Sequence, residues 1–227
     1  MYPIIQRHIT ANFEKTDKKM KYIVLHDTGN ASPSASADAH RRYFCDKTAK
    51  ASYHYVCDEN EIIECVGEGY AAYHAGVGKS GIRPDGKKSD ITNFNSVGVA
   101  YCIQQGADMK KAVENAADCC VYACLKYGLT PADIVRHYDV TEKVCPKTMH
   151  ENSTGISGGA YPWNDFDAFK ELVWEKYSAY KESEAICSAL TQKGAITETE
   201  YWKSVLMGEQ TADERWLRLL FKRLLGV

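Results

Sequence analysis

An imidazole, an ammonium and a thiol fall within one short stretch, RHYDVTEKVCP, as His137, Lys143 and Cys145. A second imidazole, His26, closes an apolar run in KYIVLHDTGN. Two imidazoles and a thiolate can hold zinc and leave the fourth position open, which is the arrangement of a catalytic site rather than a structural one. Zinc held that way activates water near neutral pH and polarises a carbonyl. One alternative is a thiol hydrolase, with Cys145 as nucleophile and a histidine as base. That reading leaves the second histidine unexplained. The other alternative is a chance cluster, because a strand-end histidine is often structural and a lone cysteine is often a small buried apolar residue.

The elements that must position these residues read as follows. Tyr22 to Leu25 is a buried strand that delivers His26 at its C-terminal end. SPSASADAHRRYFCDK is helical, with Ser34 or Ser36 as N-cap. ASYHYVCDENEIIECVG alternates and turns at Asp58 to Asn60, a hairpin signature. NSVGVAYCI is apolar enough to be a central strand. Met109, Ala112, Val113, Ala116 and Cys120 recur at helical spacing, and Gly128 and Pro131 end that helix. DIVRHYDV returns toward the sheet, and residues 163–180 form another amphipathic helix. Strands interleaved with helices predict an α/β domain with a mixed sheet over residues 1–180. The polar stretch KESEA then leads to a helical segment over residues 181–227. In it Thr211 and Glu214 fit a capping box, and Trp216, Leu219, Leu220, Arg223 and Leu224 follow helical spacing.

Bulk composition removes several classes. A formal net charge of -2 over 227 residues gives no electrostatic reason for nucleic-acid binding. No apolar run approaches the roughly 20 residues of a membrane span. The N-terminus lacks the charged start, apolar stretch and cleavage site of a signal peptide. Synthesis in the cytoplasm without a signal peptide is therefore expected. Nine cysteines, odd in number and without a repeated CxxC pair, argue against a zinc ribbon. Reduced thiols are expected, with Cys120 and Cys124 facing a core.

The motifs IVLHDTGN, ASYHYVCDE, YHAG, NSVGVAY and HYDVTEKVCP stand in the order, and at about the separations, of the zinc-dependent N-acetylmuramoyl-L-alanine amidases. That family includes phage lysins and the peptidoglycan recognition proteins. The resemblance covers about residues 20–180, and CPKTMHEN is most similar to amidases of phages and prophages of clostridium-like bacteria. It implies a mixed central sheet flanked by helices, with one Zn2+ per chain held by His26, His137 and Cys145. It places Tyr53 beside the open metal position and Lys143 at the oxygen of the scissile amide. It also implies that His74 lines the substrate groove. Many relatives carry an acidic residue where this chain has Ala100, so no carboxylate is expected to act there. His54, next to Tyr53, points to the other face of its strand and is expected to be structural.

The function implied is hydrolysis of the amide between N-acetylmuramic acid and L-alanine in peptidoglycan, by a phage or prophage endolysin or an autolysin. Action at the cell wall would follow holin-dependent or lytic release. The rival is a peptidoglycan receptor that binds without cleaving. Such relatives often lack the thiol ligand, which here is Cys145. A second rival, regulation of a cytoplasmic partner, has no feature for or against it. The helical segment over residues 181–227 has three readings that would bury Trp216 and its apolar neighbours: docking on the amidase domain, a homodimer through the C-terminal helices, or a cell-wall targeting module.

Overall fold

The computed structural model describes residues 3–77, 81–82, 86–150 and 165–226. Its strands are β1 (Ile4–Gln6), β2 (Phe13–Lys15), β3 (Tyr22–Asp27), β4 (Tyr55–Cys57), β5 (Ile62–Glu64), β6 (Tyr70–Ala72), β7 (Ser96–Tyr101) and β8 (Ile134–Arg136). The helices are α1 (Ala37–Phe44), α2 (Met109–Tyr127), α3 (His137–Thr141), α4 (Phe166–Gln192), α5 (Thr199–Leu206) and α6 (Glu214–Leu225). Two compact units divide between Val173 and Trp174, within α4.

In the larger unit six strands form one mixed sheet in the order β1-β5-β4-β7-β3-β8. Only β4 and β5 run antiparallel, as the expected hairpin. Its turn is held by Asp58, whose Oδ1 accepts the backbone N–H groups of Asn60 (2.8 Å) and Glu61 (3.0 Å). The central strands β3 and β7 pair in parallel, with Val24 opposite Gly98 and His26 opposite Ala100. All six residues of β7 are buried. Period-two geometry puts Ser96, Gly98 and Ala100 on one face and Val97, Val99 and Tyr101 on the other. One face of the central strand therefore carries only small side chains and has room for something else. A separate antiparallel pair joins β2 to β6.

Helix α1 begins at Ser36, whose Oγ accepts the Ala39 N–H (3.2 Å). Helix α2 packs on β4 and β7. Asp108 caps its start, and Gly128 ends it at φ 66°, the left-handed conformation glycine adopts without a Cβ penalty. Met109, Ala112, Val113, Ala116, Cys120 and Cys124 are all buried, as the helical spacing requires. All nine cysteines are free.

The smaller unit gathers Cys187, Ile196 and Trp202 into a core, with Leu190, Tyr201, Val205, Leu217 and Leu220 packed around them. Two readings of this region need correction. KESEA is not a break, because α4 runs through it. Lys181 pairs with Glu184 one turn on, and the Ser183 hydroxyl donates to the Tyr180 carbonyl (2.8 Å), so the polar residues satisfy one another on the helix. The N-cap of α6 is Asp213 rather than Thr211: its carboxylate accepts the Arg215 N–H at 2.8 Å. The expected helix start at 163 lies outside the described residues. Among the described residues no helix is long and apolar enough to cross a membrane.

Candidate metal centre

Parallel strands bring their C-terminal ends to one edge of the sheet, where open α/β sheets bind ligands. His26 is the penultimate residue of β3, and His137 follows directly on β8, its neighbour. Helix α3 starts there because Asp139 folds back on Arg136, accepting its backbone N–H (2.8 Å) and its guanidinium (2.8 Å). It ends after one turn at Glu142, φ 63°. The chain then doubles back, and the Tyr138 N–H donates to the Cys145 carbonyl (3.0 Å).

One residue that the sequence reading overlooked fastens this loop. The buried Asp27 carboxylate accepts the backbone N–H groups of Gly29 (3.0 Å), Lys147 and Thr148 (3.4 Å). It thereby ties the segment after Cys145 to the end of β3. The available signal was an acidic residue directly after the strand-end histidine, two residues before a glycine.

The result is a compact donor set. The ligand atoms of His26, His137 and Cys145 all lie within 4.8 Å of one another, and all three residues are buried. Cys145 Sγ is 3.6 Å from His26 Nδ1, and the two imidazole centroids are 4.6 Å apart. A tetrahedral zinc ion, with bonds of about 2.3 Å to sulfur and about 2.0 Å to nitrogen, sets such a pair about 3.6 Å apart. His137 Nδ1 is buried without a hydrogen-bond partner, as an atom reserved for a metal would be. The donor set therefore fits zinc.

Burial dominates the electrostatics. It pulls His26 far below the ordinary histidine value, helped by the nearby His137, His74 and Lys143. It brings His137 to about 4, with Lys143 acting in the same direction. It pushes the Cys145 thiol up to about 12, aided by Asp27 and opposed by Lys143 and Lys147. Without a metal, the site holds two neutral imidazoles and a thiol.

The other residues singled out in the sequence fall around this set. The half-buried Tyr53 ring lies 4.8 Å from the His26 ring and packs edge-on against Phe44 at 5.6 Å. Burial first, then Cys145 and Asp27, raises its hydroxyl pKa, so the phenol is neutral. Lys143 is exposed, and its charge reaches both imidazoles. His74 departs from the expected place. It is only 5% exposed and sits behind His26, with Nδ1 3.2 Å from His26 Nε2, rather than on an open groove. Burial holds it well below the ordinary histidine range. His54 is buried, accepting the Gly98 N–H at Nδ1 (3.0 Å) and facing the Tyr70 carbonyl with Nε2 (3.1 Å). Ala100 is fully buried beside His26 and brings no carboxylate. Beside Tyr53 lies a cleft of about 400 Å³ lined by Thr28, Asn30, His40 and Tyr43 among others.

The profile of the family described as N-acetylmuramoyl-L-alanine amidase matches residues 16–148, a span that contains every residue of this centre. The chain is 36% identical over 180 residues to the N-acetylmuramoyl-L-alanine amidase BlyA of Bacillus subtilis (strain 168), covering 73% of this chain and 44% of that protein. It is 34% identical over 148 residues to the amidase CwlL of Bacillus licheniformis, covering 61% of this chain and 39% of that one. It thus spans less than half the length of either relative. Among solved structures, a mutant endolysin from Bacillus subtilis superposes with a TM-score of 0.61 at 26% identity, covering 76% of this chain and 99% of that one.

Proposed function

The chain belongs to the N-acetylmuramoyl-L-alanine amidase family, and from that premise we propose that it cleaves the amide between N-acetylmuramic acid and the L-alanine of the peptidoglycan stem peptide. One Zn2+ held by His26, His137 and Cys145 serves the reaction. The observation that carries this reading is the juxtaposition of those three buried donors, His26 and His137 at the carboxyl ends of adjacent parallel strands and Cys145 on the loop that returns to them. When bound, zinc supplies Lewis acidity and activates water at neutral pH.

The protein's own groups do the rest. Lys143 is a cationic donor for the charge that develops on the amide oxygen as the carbonyl is attacked. Tyr53 keeps its proton and can both donate and accept a hydrogen bond, so it orients the attacking water. Asp27 holds the Cys145 loop against β3 and has its oxygens taken up by backbone N–H groups, which leaves it as a positioning group. The cleft beside Tyr53 offers Thr28, Asn30 and Tyr43 as polar contacts for a peptide or sugar. This chemistry places its action at the cell wall, as an endolysin or autolysin; release through holin lesions or lysis is part of the same proposal. Exposed Phe221, Leu224 and Leu225 on α6 support pairing of two copies through the C-terminal helices. Light scattering at twice the chain mass would bear that out, and a single-chain mass would reject it.

Digestion of purified cell walls tests the reaction. New L-alanine N-termini should appear with no rise in reducing sugar ends, and chelation should abolish the release until zinc is restored. Reducing ends rising in step with lysis would point to a glycosidase and reject the proposal.

A further inference from the structure

We propose that His74 is a positioning residue: the relay from the Ser96 carbonyl through His74 to His26 fixes the His26 tautomer that presents Nδ1 to the metal. This deepens the zinc reading above and rests on it.

The Ser96 carbonyl oxygen can only accept a hydrogen bond. His74 Nε2 faces the Ser96 carbonyl at 3.3 Å. It also faces Ser96 Oγ at 3.4 Å, and that hydroxyl spends its own proton on the Thr92 carbonyl at 2.6 Å. Nε2 thus meets only lone pairs and must carry the hydrogen. In a neutral imidazole the other nitrogen is then an acceptor, so His74 Nδ1 accepts. Its partner is His26 Nε2, at 3.2 Å. The His26 hydrogen therefore sits on Nε2, and the lone pair is left on Nδ1, the atom 3.6 Å from Cys145 Sγ.

The surroundings are built to hold this ring. Asn93 Oδ1 accepts the backbone N–H groups of His74 (3.0 Å) and Ala75 (2.7 Å) and so fixes the segment. The small column of β7 supplies the space: a Cβ on Gly98 would lie 2.6 Å from His74 Cγ. The His54 ring packs edge-on against His74, at 5.6 Å. A histidine that merely filled a core would not need its two nitrogens matched, one to an acceptor and one to a ligand. Partners of this kind, which orient a metal-bound imidazole, are worth about 10–100-fold in metal affinity.

The test uses the full chain with and without zinc. Nitrogen-15 spectra of the metal-free protein should show His26 as the Nε2–H tautomer. Zinc affinity, measured by competition with a chelator, should fall about 10–100-fold in His74→Leu, which keeps bulk but has no acceptor. His74→Asn, whose Oδ1 can stand near the position of Nδ1, should recover part of that loss. Unchanged zinc affinity in His74→Leu, or His26 found protonated on Nδ1, would overturn the relay. Should His74→Leu fail to fold, the His26 tautomer in the unsubstituted protein decides alone. The ligand set is tested separately by Cys145→Ala: zinc lost there but unchanged in His74→Leu rejects the relay only, whereas zinc retained in Cys145→Ala rejects the ligand set.

Discussion

Cys145 Sγ lies 3.6 Å from His26 Nδ1, although 119 positions separate the two in the chain. The contact is made by topology. β3 and β8 are adjacent parallel strands, and the one-turn helix after β8 reverses the chain so that Cys145 returns to the end of β3. The two residues nearest this junction in the sequence, Lys143 and Cys145, are assigned different tasks, which makes them separable.

Cys145→Ala should bind substoichiometric zinc and lose wall-degrading activity to background. Lys143→Ala should keep about one zinc per chain and lose about 10²–10³ in kcat, the cost of removing one oxyanion donor. Metal analysis together with release of L-alanine N-termini checks both. Full zinc and full activity in Cys145→Ala would contradict the ligand assignment.

Zinc binding should tighten as pH rises. The Cys145 thiol, raised to about 12 by burial, is protonated across the neutral range and must lose its proton to become a ligand. His137, lowered to about 4, is already neutral there, and His26 is lowered too. About one ligand proton should therefore leave per zinc bound, so affinity rises about tenfold per pH unit up to about pH 7, above which ionisation of the zinc-bound water adds a second proton. Calorimetry in buffers of different ionisation enthalpy counts the proton. Two or more released at about pH 6, below the range in which zinc-bound water ionises, would mean that an imidazole is charged before metal binds.

Much of this was legible in the sequence because strands, caps and hairpin turns are local. The run ending at His26, the Asp58 turn and the Gly128 stop were all readable from a few neighbouring residues. Alternation in NSVGVAY marks a strand but does not say what fills the small face, since that depends on a residue more than twenty positions away. His74 was therefore readable as a member of the family motif but not as a residue behind His26. Asp27 looked like any polar strand end, because its partners, Lys147 and Thr148, lie in a distant loop. KESEA looked like a linker because polarity alone does not distinguish a solvated helix face from a loop.

Gly98→Ala should disturb the centre without touching a donor. The added methyl would meet His74 Cγ at 2.6 Å, in a ring already packed against His54 and bonded to His26. Overpacking of this kind costs about 1–3 kcal/mol. Stability should fall by that amount in denaturant titration, and zinc affinity should fall with it as His74 leaves His26. Ala→Gly at position 100 adds no such contact and should leave the His74 hydrogen bonds intact.

The far side of the sheet carries a charge pair whose worth can be measured. Glu64 is buried, and its Oε1 accepts from Lys126 Nζ (2.7 Å) and the Tyr55 hydroxyl (2.9 Å). His8 Nε2 lies 3.3 Å from its other oxygen. Burial pushes the Glu64 carboxyl up, but the hydrogen bonds from Lys126 and Tyr55 prevail and hold it below its ordinary value. A depressed carboxylate adds stability above the unfolded-state value and loses it as pH falls through the folded one. Lys126 is raised, so its share is present below the ordinary lysine value and is lost only at high pH. The pair is therefore at full strength between the two ranges. Lys126→Met should destabilise by about 3 kcal/mol at pH 7, because it strands a buried charge. With Lys126 gone, burial is no longer outweighed by the opposing hydrogen bonds and the Glu64 pKa should rise. Acid then relieves the stranded charge, so the difference from the unsubstituted protein should shrink as pH is lowered toward 4. Adding Glu64→Gln should restore part of the loss at pH 7. Chemical denaturation of the variants across pH measures this, and a penalty that stayed constant with pH would show that Lys126 acts through packing on its tyrosine neighbours rather than through charge.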